Sequence, residues 1–143
     1  MSGKTILSIA LLALIVFGAV RYFRSDTSDP SAVLSRYHEY WESRNTIGIY
    51  PLLSMRAKGE LARMGVGNAA DYYSYFAGKR SDLSGFELTS QEIRESNGRF
   101  WVSLRFRDDT GKKHQETVTF VLLKEPKGWR VDGWQGGGEY SLP

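Results

Sequence analysis

The chain has 143 residues, 41% of them hydrophobic and 24% charged, with a formal net charge of +3 and no cysteine. Without cysteine there is no disulfide framework, thiol nucleophile or Cys-based metal site. The longest basic clusters, Lys79-Arg80 and Lys112-Lys113, sit beside expected turns, so the concentrated basic stripe of a nucleic-acid-binding protein is missing.

The first element is an apolar run. Ile6 to Val20 reads ILSIALLALIVFGAV and carries no charge. As a helix it is about 22 Å long; taking in Thr5 and Arg21 to Phe23 brings it to about 28 Å, near the roughly 30 Å hydrocarbon core. Arg21 can snorkel, and Tyr22 and Phe23 suit the interface. A cleavable signal peptide needs small residues before the cut, and cleavage after Ala19 would place Phe17 at −3. The expectation is therefore an uncleaved signal-anchor over 1–24, flanked by Lys4, Arg21 and Arg24. The flanking charges give almost no orientation bias, or a slight one toward a cytoplasmic domain. The short basic start favours export of the downstream chain, so the domain is expected on the periplasmic side of the cell inner membrane.

A short linker, SDTSDP (25–30), leads into one domain over 31–135, large enough for a real core. Asp29-Pro30 is a helix start, Asp as N-cap and Pro at N1. Val33, Leu34, Tyr37 and Trp41 come next at helical spacing, and the helix should stop near Asn45. Leu52, Leu53 and Met55 open a second, shorter helical stretch ending near Gly65. Asn68-Ala-Ala-Asp71 resembles a capping box with Asp in place of Glu. It opens a third helix rich in aromatics: Tyr72, Tyr73, Tyr75 and Phe76.

From Gly85 the period changes to two. Phe86 and Leu88 alternate with polar residues, and Ile93 is out of phase, which predicts a bulge or a strand end near Ser90 to Glu92. Asn97-Gly98 reads as a hairpin turn. Phe100, Val102, Leu104 and Phe106 then face one side, and Trp101, Ser103, Arg105 and Arg107 the other. Asp108 to Gly111 is a turn, Thr117 to Leu123 a central strand, Pro126-Lys127-Gly128 a turn, and Trp129 to Trp134 the last strand. Short connections make neighbours antiparallel. The tail 136–143 is flexible by composition. The expected class is α+β: an N-terminal transmembrane helix, then three helices packed on a curved four-stranded antiparallel sheet.

Helix 1 (Ala32 to Arg44), the Leu52-Leu53-Ser54 stretch and the closing VTFVLLKEPKGWRVDGW resemble the NTF2-like (cystatin-like, cone-shaped) superfamily, in particular small bacterial DUF4878-type domains with an N-terminal anchor. The resemblance spans roughly residues 30 to 134 and rests on apolar patterning and a terminal tryptophan strand. It implies a cone lined by Tyr37, Trp41, Tyr72, Tyr73 and Phe76. Small-molecule-binding or isomerase/cyclase-like chemistry in such a cone needs an acid/base pair facing an apolar cavity. The candidates are His38, Asp71, Tyr72, Tyr73 and Asp132. Each has a plainer reading: a half-buried histidine, a helix-start acid, core tyrosines, and an acid facing outward or pairing with Arg105 or Arg107. His38 and His114 sit on different elements, so no histidine metal site is expected. There is no Gly-rich phosphate loop and no nucleophile elbow, and no cofactor or catalytic residue is assigned.

The remaining feature is a Trp/Arg surface. Trp101, Arg105, Arg107, Arg130 and Trp134 are expected to share the outer sheet face, a composition suited to protein contacts. Cross-strand Trp–Arg pairing within the sheet is the plainer alternative. The expected function is a single-pass, membrane-anchored binding module, an accessory or assembly subunit of a membrane complex. Its partners would be the lipid bilayer, other membrane or periplasmic subunits and a second copy of itself, with no nucleic acid.

Overall fold

Trp129 donates its backbone N–H to the carbonyl of Thr27 (2.7 Å), so the domain closes on itself from its first described residue. The computed structural model describes residues 27–77, 82–108 and 110–136. The apolar run at 1–24 with Lys4, Arg21 and Arg24, and the tail from 137, lie outside the described residues. Among the described residues no helix is long and apolar enough to cross a membrane. Over the described residues the expected architecture is thus corrected to one without a membrane-spanning helix, and the run expected to form that helix lies outside them.

Helix α1 runs over Pro30–Glu42, with Asp29 accepting from the N–H of Ser31 and Pro30 in the first turn. The helix number is also corrected: the described residues form four helices, not three. Asn45 caps a short α2, Thr46–Ile49, by accepting from Gly48 N–H at 3.1 Å, and a 3-10 turn, Tyr50–Leu52, comes after it. Pro51 explains the break, because it lacks the N–H a continuing helix needs. Ser54 then caps α3, Met55–Arg63, and Asn68 caps α4, Ala69–Ala77, accepting from Asp71 N–H at 2.8 Å.

The strands β1 (Asp82–Ile93), β2 (Asn97–Arg107), β3 (Lys113–Glu125) and β4 (Gly128–Gln135) form one antiparallel sheet in sequence order. β2 and β3 are central, as expected of Thr117 to Leu123. Phe100, Val102, Leu104 and Phe106 are buried on one face, with Val118, Phe120 and Leu122 beside them on β3. α1 lies across this face from β1 to β4, burying Val33, Tyr37 and Trp41, while α4 packs on α2 and the 3-10 turn. All four described helices are on this side of the sheet; no described helix covers the other.

Three ladder irregularities shape the sheet. β1 shifts register between Leu88 and Ser90, close to the expected bulge, and also between Leu83 and Gly85. The third lies between β3 and β4, where Val121 pairs with Gly133 but Leu122 with Val131. The hairpin turn also sits earlier than expected. Arg94 N–H bonds to Asn97 O at 2.8 Å, so Glu95 and Ser96 form the tip and Asn97-Gly98 begins β2. Gly98 lies close under the Phe100 ring, where a Cβ would come within 3.0 Å of it.

Gly128 holds the N-terminal closure. Its φ is +123°, and a Cβ would lie 2.5 Å from Thr27 O. Gly128→Ala should lower stability by about 1–3 kcal/mol, read as a reduced melting temperature. An unchanged melt would show that the Thr27 contact does not hold the fold.

Candidate interaction face

Most of the aromatics expected to line a cavity pack against one another instead. Tyr37, Trp41, Tyr72 and Phe76, expected to line a cone, belong to the buried core. Tyr37 meets Trp41 and Phe120 edge-on at 6.3 and 5.4 Å, and Tyr72 lies 4.6 Å from Phe76. Burial, with Tyr72 nearby, pushes the Tyr37 hydroxyl well above its ordinary value, and burial alone raises Tyr72; both stay protonated at neutral pH. Tyr73 is corrected: it is 43% exposed, because it sits one position round α4 from its buried neighbour.

The other acid/base candidates are all engaged. Asp71 accepts from Gly67 N–H at the start of α4. His38 stacks on Phe86 at 4.3 Å and lies 3.5 Å from Glu42. Asp132 was expected to face outward or to pair with Arg105 or Arg107. It instead accepts from Ser54 Oγ at 2.6 Å and from Arg56 Nε and Nη2 at 2.9 and 2.8 Å. Arg56 also reaches Glu60 at 2.6 Å. Among the described residues no group of three or more His, Asp or Glu side chains could hold a metal ion.

The bulge in β4 explains both Asp132 and Trp134. Inserting Asp132 reverses the in–out alternation beyond it. Trp134 therefore stands opposite the buried Phe120 and packs on the core, which corrects its expected place beside Trp101. It lines a groove of about 290 Å³ between α3 and β4, with Leu61, Met64 and Phe76, beside the Arg56–Asp132 pair.

Trp101, Arg105, Arg107 and Arg130 do occupy the open face, but not as one patch. Trp101 is central and half-buried, opposite Thr119. Arg130 is opposite Leu123 at the far end and donates to its own neighbour, the Trp129 carbonyl, at 2.8 Å. Arg105 and Arg107 lie at the other end, opposite Gln115 and Lys113. The Trp101 ring has no aromatic or cation–π partner among the described residues, so the cross-strand Trp–Arg pairing is not formed. Residue counting along one strand misses Lys113; only the register across the turn, which sets it opposite Arg107, brings it in.

That turn is rigid. Asp108 accepts from Thr110 Oγ1 (2.6 Å), from the N–H groups of Thr110 and Lys112 (both 2.9 Å), and lies 2.6 Å from His114 Nε2. The His114 ring stacks on Phe106 at 5.1 Å. The hydrogen bond from Thr110, then that from His114, holds the Asp108 carboxyl well below its ordinary 3.8.

No protein-family model matches the chain, and no curated protein matches it. Among solved structures it is similar to the solution structure of a SEC-C motif containing protein from Rhodopseudomonas palustris. The TM-score is 0.59 at 12% identity, over 81% of this chain and 86% of that one. The likeness is one of fold. It replaces the NTF2-like, DUF4878-type resemblance, whose motifs were an alternating apolar strand and a terminal tryptophan strand. Those report a sheet with one buried face, which many α+β layers share.

Two outcomes separate holding charges from spare ones. Arg56→Met strips Asp132, whose side chain is 12% exposed, of its cation and should cost about 1–3 kcal/mol. Arg105→Met should stay within about 0.5 kcal/mol of wild type, both by urea denaturation; equal losses would contradict the assignment. Asp108 supplies a pH test. Its folded-state value is depressed, so its contribution is complete above 3.8 and is lost as pH falls below it. The stability gap between wild type and Asp108→Asn should narrow on acidification through that range; a constant gap would remove the turn's role.

Proposed function

We propose that the domain is a protein-binding module, an accessory or assembly subunit of a complex at the cell inner membrane, and not an enzyme. The observation that carries this reading is the sheet face that no described helix covers. Its half-buried Trp101 has no ring partner, and Arg105 and Arg107 make no side-chain ion pair or hydrogen bond among the described residues. Aromatic and arginine side chains not engaged within the fold are what protein interfaces use as anchors. The packing of the expected cone-lining aromatics weighs against the isomerase- or cyclase-like alternative, since four of its five acid/base candidates, all but the exposed Tyr73, are buried in the core, stacked, capping or ion-paired. Association with the membrane, with the domain on its periplasmic side, rests on the charge-free run Ile6 to Val20.

The test uses full-length protein extracted in mild detergent. Trp101→Glu should lose co-purifying subunits, or fall from dimer to monomer by light scattering, while keeping its far-UV circular dichroism. Trp134→Ala, on the opposite face, should keep its partners and lose stability. Unchanged partners and mass in Trp101→Glu would overturn the reading. Recovery of wild-type protein wholly in the soluble fraction after cell lysis would overturn its membrane part.

A further inference from the structure

Among the described residues, the most strongly charged unneutralised feature is at the Arg105 end of the open face. Arg105 and Arg107 project from β2 two residues apart, and Lys113 stands across from Arg107 on β3. Together with Ser84 and Gln115 they border a shallow groove of about 580 Å³. None of the three cations makes an ion pair or side-chain hydrogen bond among the described residues. Two described carboxylates share this face beside them: Asp82, opposite Arg107 in the ladder, is held by Arg44 at 2.5 Å, and Glu87, opposite Ser103, makes no ion pair with them.

Gly85 gives the groove its form. A Cβ at this position would lie 2.7 Å from Arg105 Nε and 3.2 Å from Nη2, so the guanidinium rests on the bare Cα and extends over β1. β1 is an edge strand, with β2 as its sole neighbour in the described sheet. Its outward backbone groups can take a further strand.

We infer that this groove binds an extended, acidic polypeptide segment, with carboxylates at alternate positions on Arg105 and Arg107 and Lys113 as a third contact. The inference rests on the reading of this face as a protein-binding surface and names the chemistry of its partner. Spacing selects the occupant. Residues i and i+2 of a strand are about 7 Å apart, and so are alternate side chains of an extended peptide laid along β1. An arginine fork takes a carboxylate bidentately, which a row of unpaired guanidinium groups at strand spacing repeats.

Fluorescence anisotropy of the full-length protein in detergent tests this, with a labelled peptide of alternating Glu and Thr. Saturable binding that weakens about tenfold or more from low to moderate salt is expected. Arg105→Glu and Arg107→Glu should each weaken it about tenfold or more. Gly85→Ala, which pushes the guanidinium aside, should weaken it less, with circular dichroism unchanged in all three. Equal binding of the peptide with Gln in place of Glu overturns the inference. So does wild-type affinity in Arg105→Glu. Preference for single-stranded DNA, or for vesicles of equimolar phosphatidylglycerol and phosphatidylcholine, would also overturn it, by assigning the charge to another partner. If Trp101→Glu releases subunits and the acidic peptide fails to bind, the protein-binding reading stands and only the acidic chemistry falls.

Discussion

All described helices lie against one face of a four-stranded sheet, and most of the architecture derives from that asymmetry. Strict alternation on β2 sends Phe100, Val102, Leu104 and Phe106 inward. β3 continues the same layer with Val118, Phe120 and Leu122. Each such side chain contributes roughly 1.5–3 kcal/mol when fully buried, but only if something covers it. α1 supplies the cover with Val33, Tyr37 and Trp41, crossing from β1 to β4. With one face of the sheet sealed, the aromatic residues that a cavity would need as walls become its filling.

The β4 bulge is the second constraint. One additional residue, Asp132, lets the last strand serve two purposes. Before it, Trp129 and Val131 point into the core. After it, Trp134 returns to the same side instead of the opposite one. The bulged residue is turned toward α3, where Ser54 and Arg56 meet it. Ser54 caps α3 through the same hydroxyl that donates to Asp132, and its N–H bonds to Val131 O at 2.8 Å. A register irregularity thus fixes a helix that buries none of its own residues.

Periodicity makes much of this readable. The N-cap at Asp29, the caps at Asn68 and Asp71, the central strands and the inward set on β2 each depend on residues close in sequence. The features that local patterns do not reveal depend on partners far apart. Trp134 obeys simple alternation until a bulge reverses it, and nothing in GWRVDGW marks where that bulge lies. Asp132 finds Arg56, 76 positions away, not the arginines of β2. Asn97-Gly98 has the composition of a hairpin turn, but both residues pair within the ladder, Gly98 opposite Ile93, and the tip falls at Glu95-Ser96. The NTF2-like resemblance failed for a related reason: its motifs encode a half-buried sheet, a property shared across fold families.

The two kinds of arginine show why the open face carries the functional reading. Arg56 is saturated, its guanidinium held by Asp132 and Glu60, and the fold has a use for it. Arg105 rests on the bare Cα of a glycine, and Arg107 has its cross-strand acid drawn away by Arg44. Neither adds to the core, and like charges two residues apart on a strand repel mildly. A face that folding leaves uncovered imposes no requirement for charge of one sign, so unpaired cations at strand spacing beside an edge strand are accounted for by a carboxylate-bearing chain laid against them.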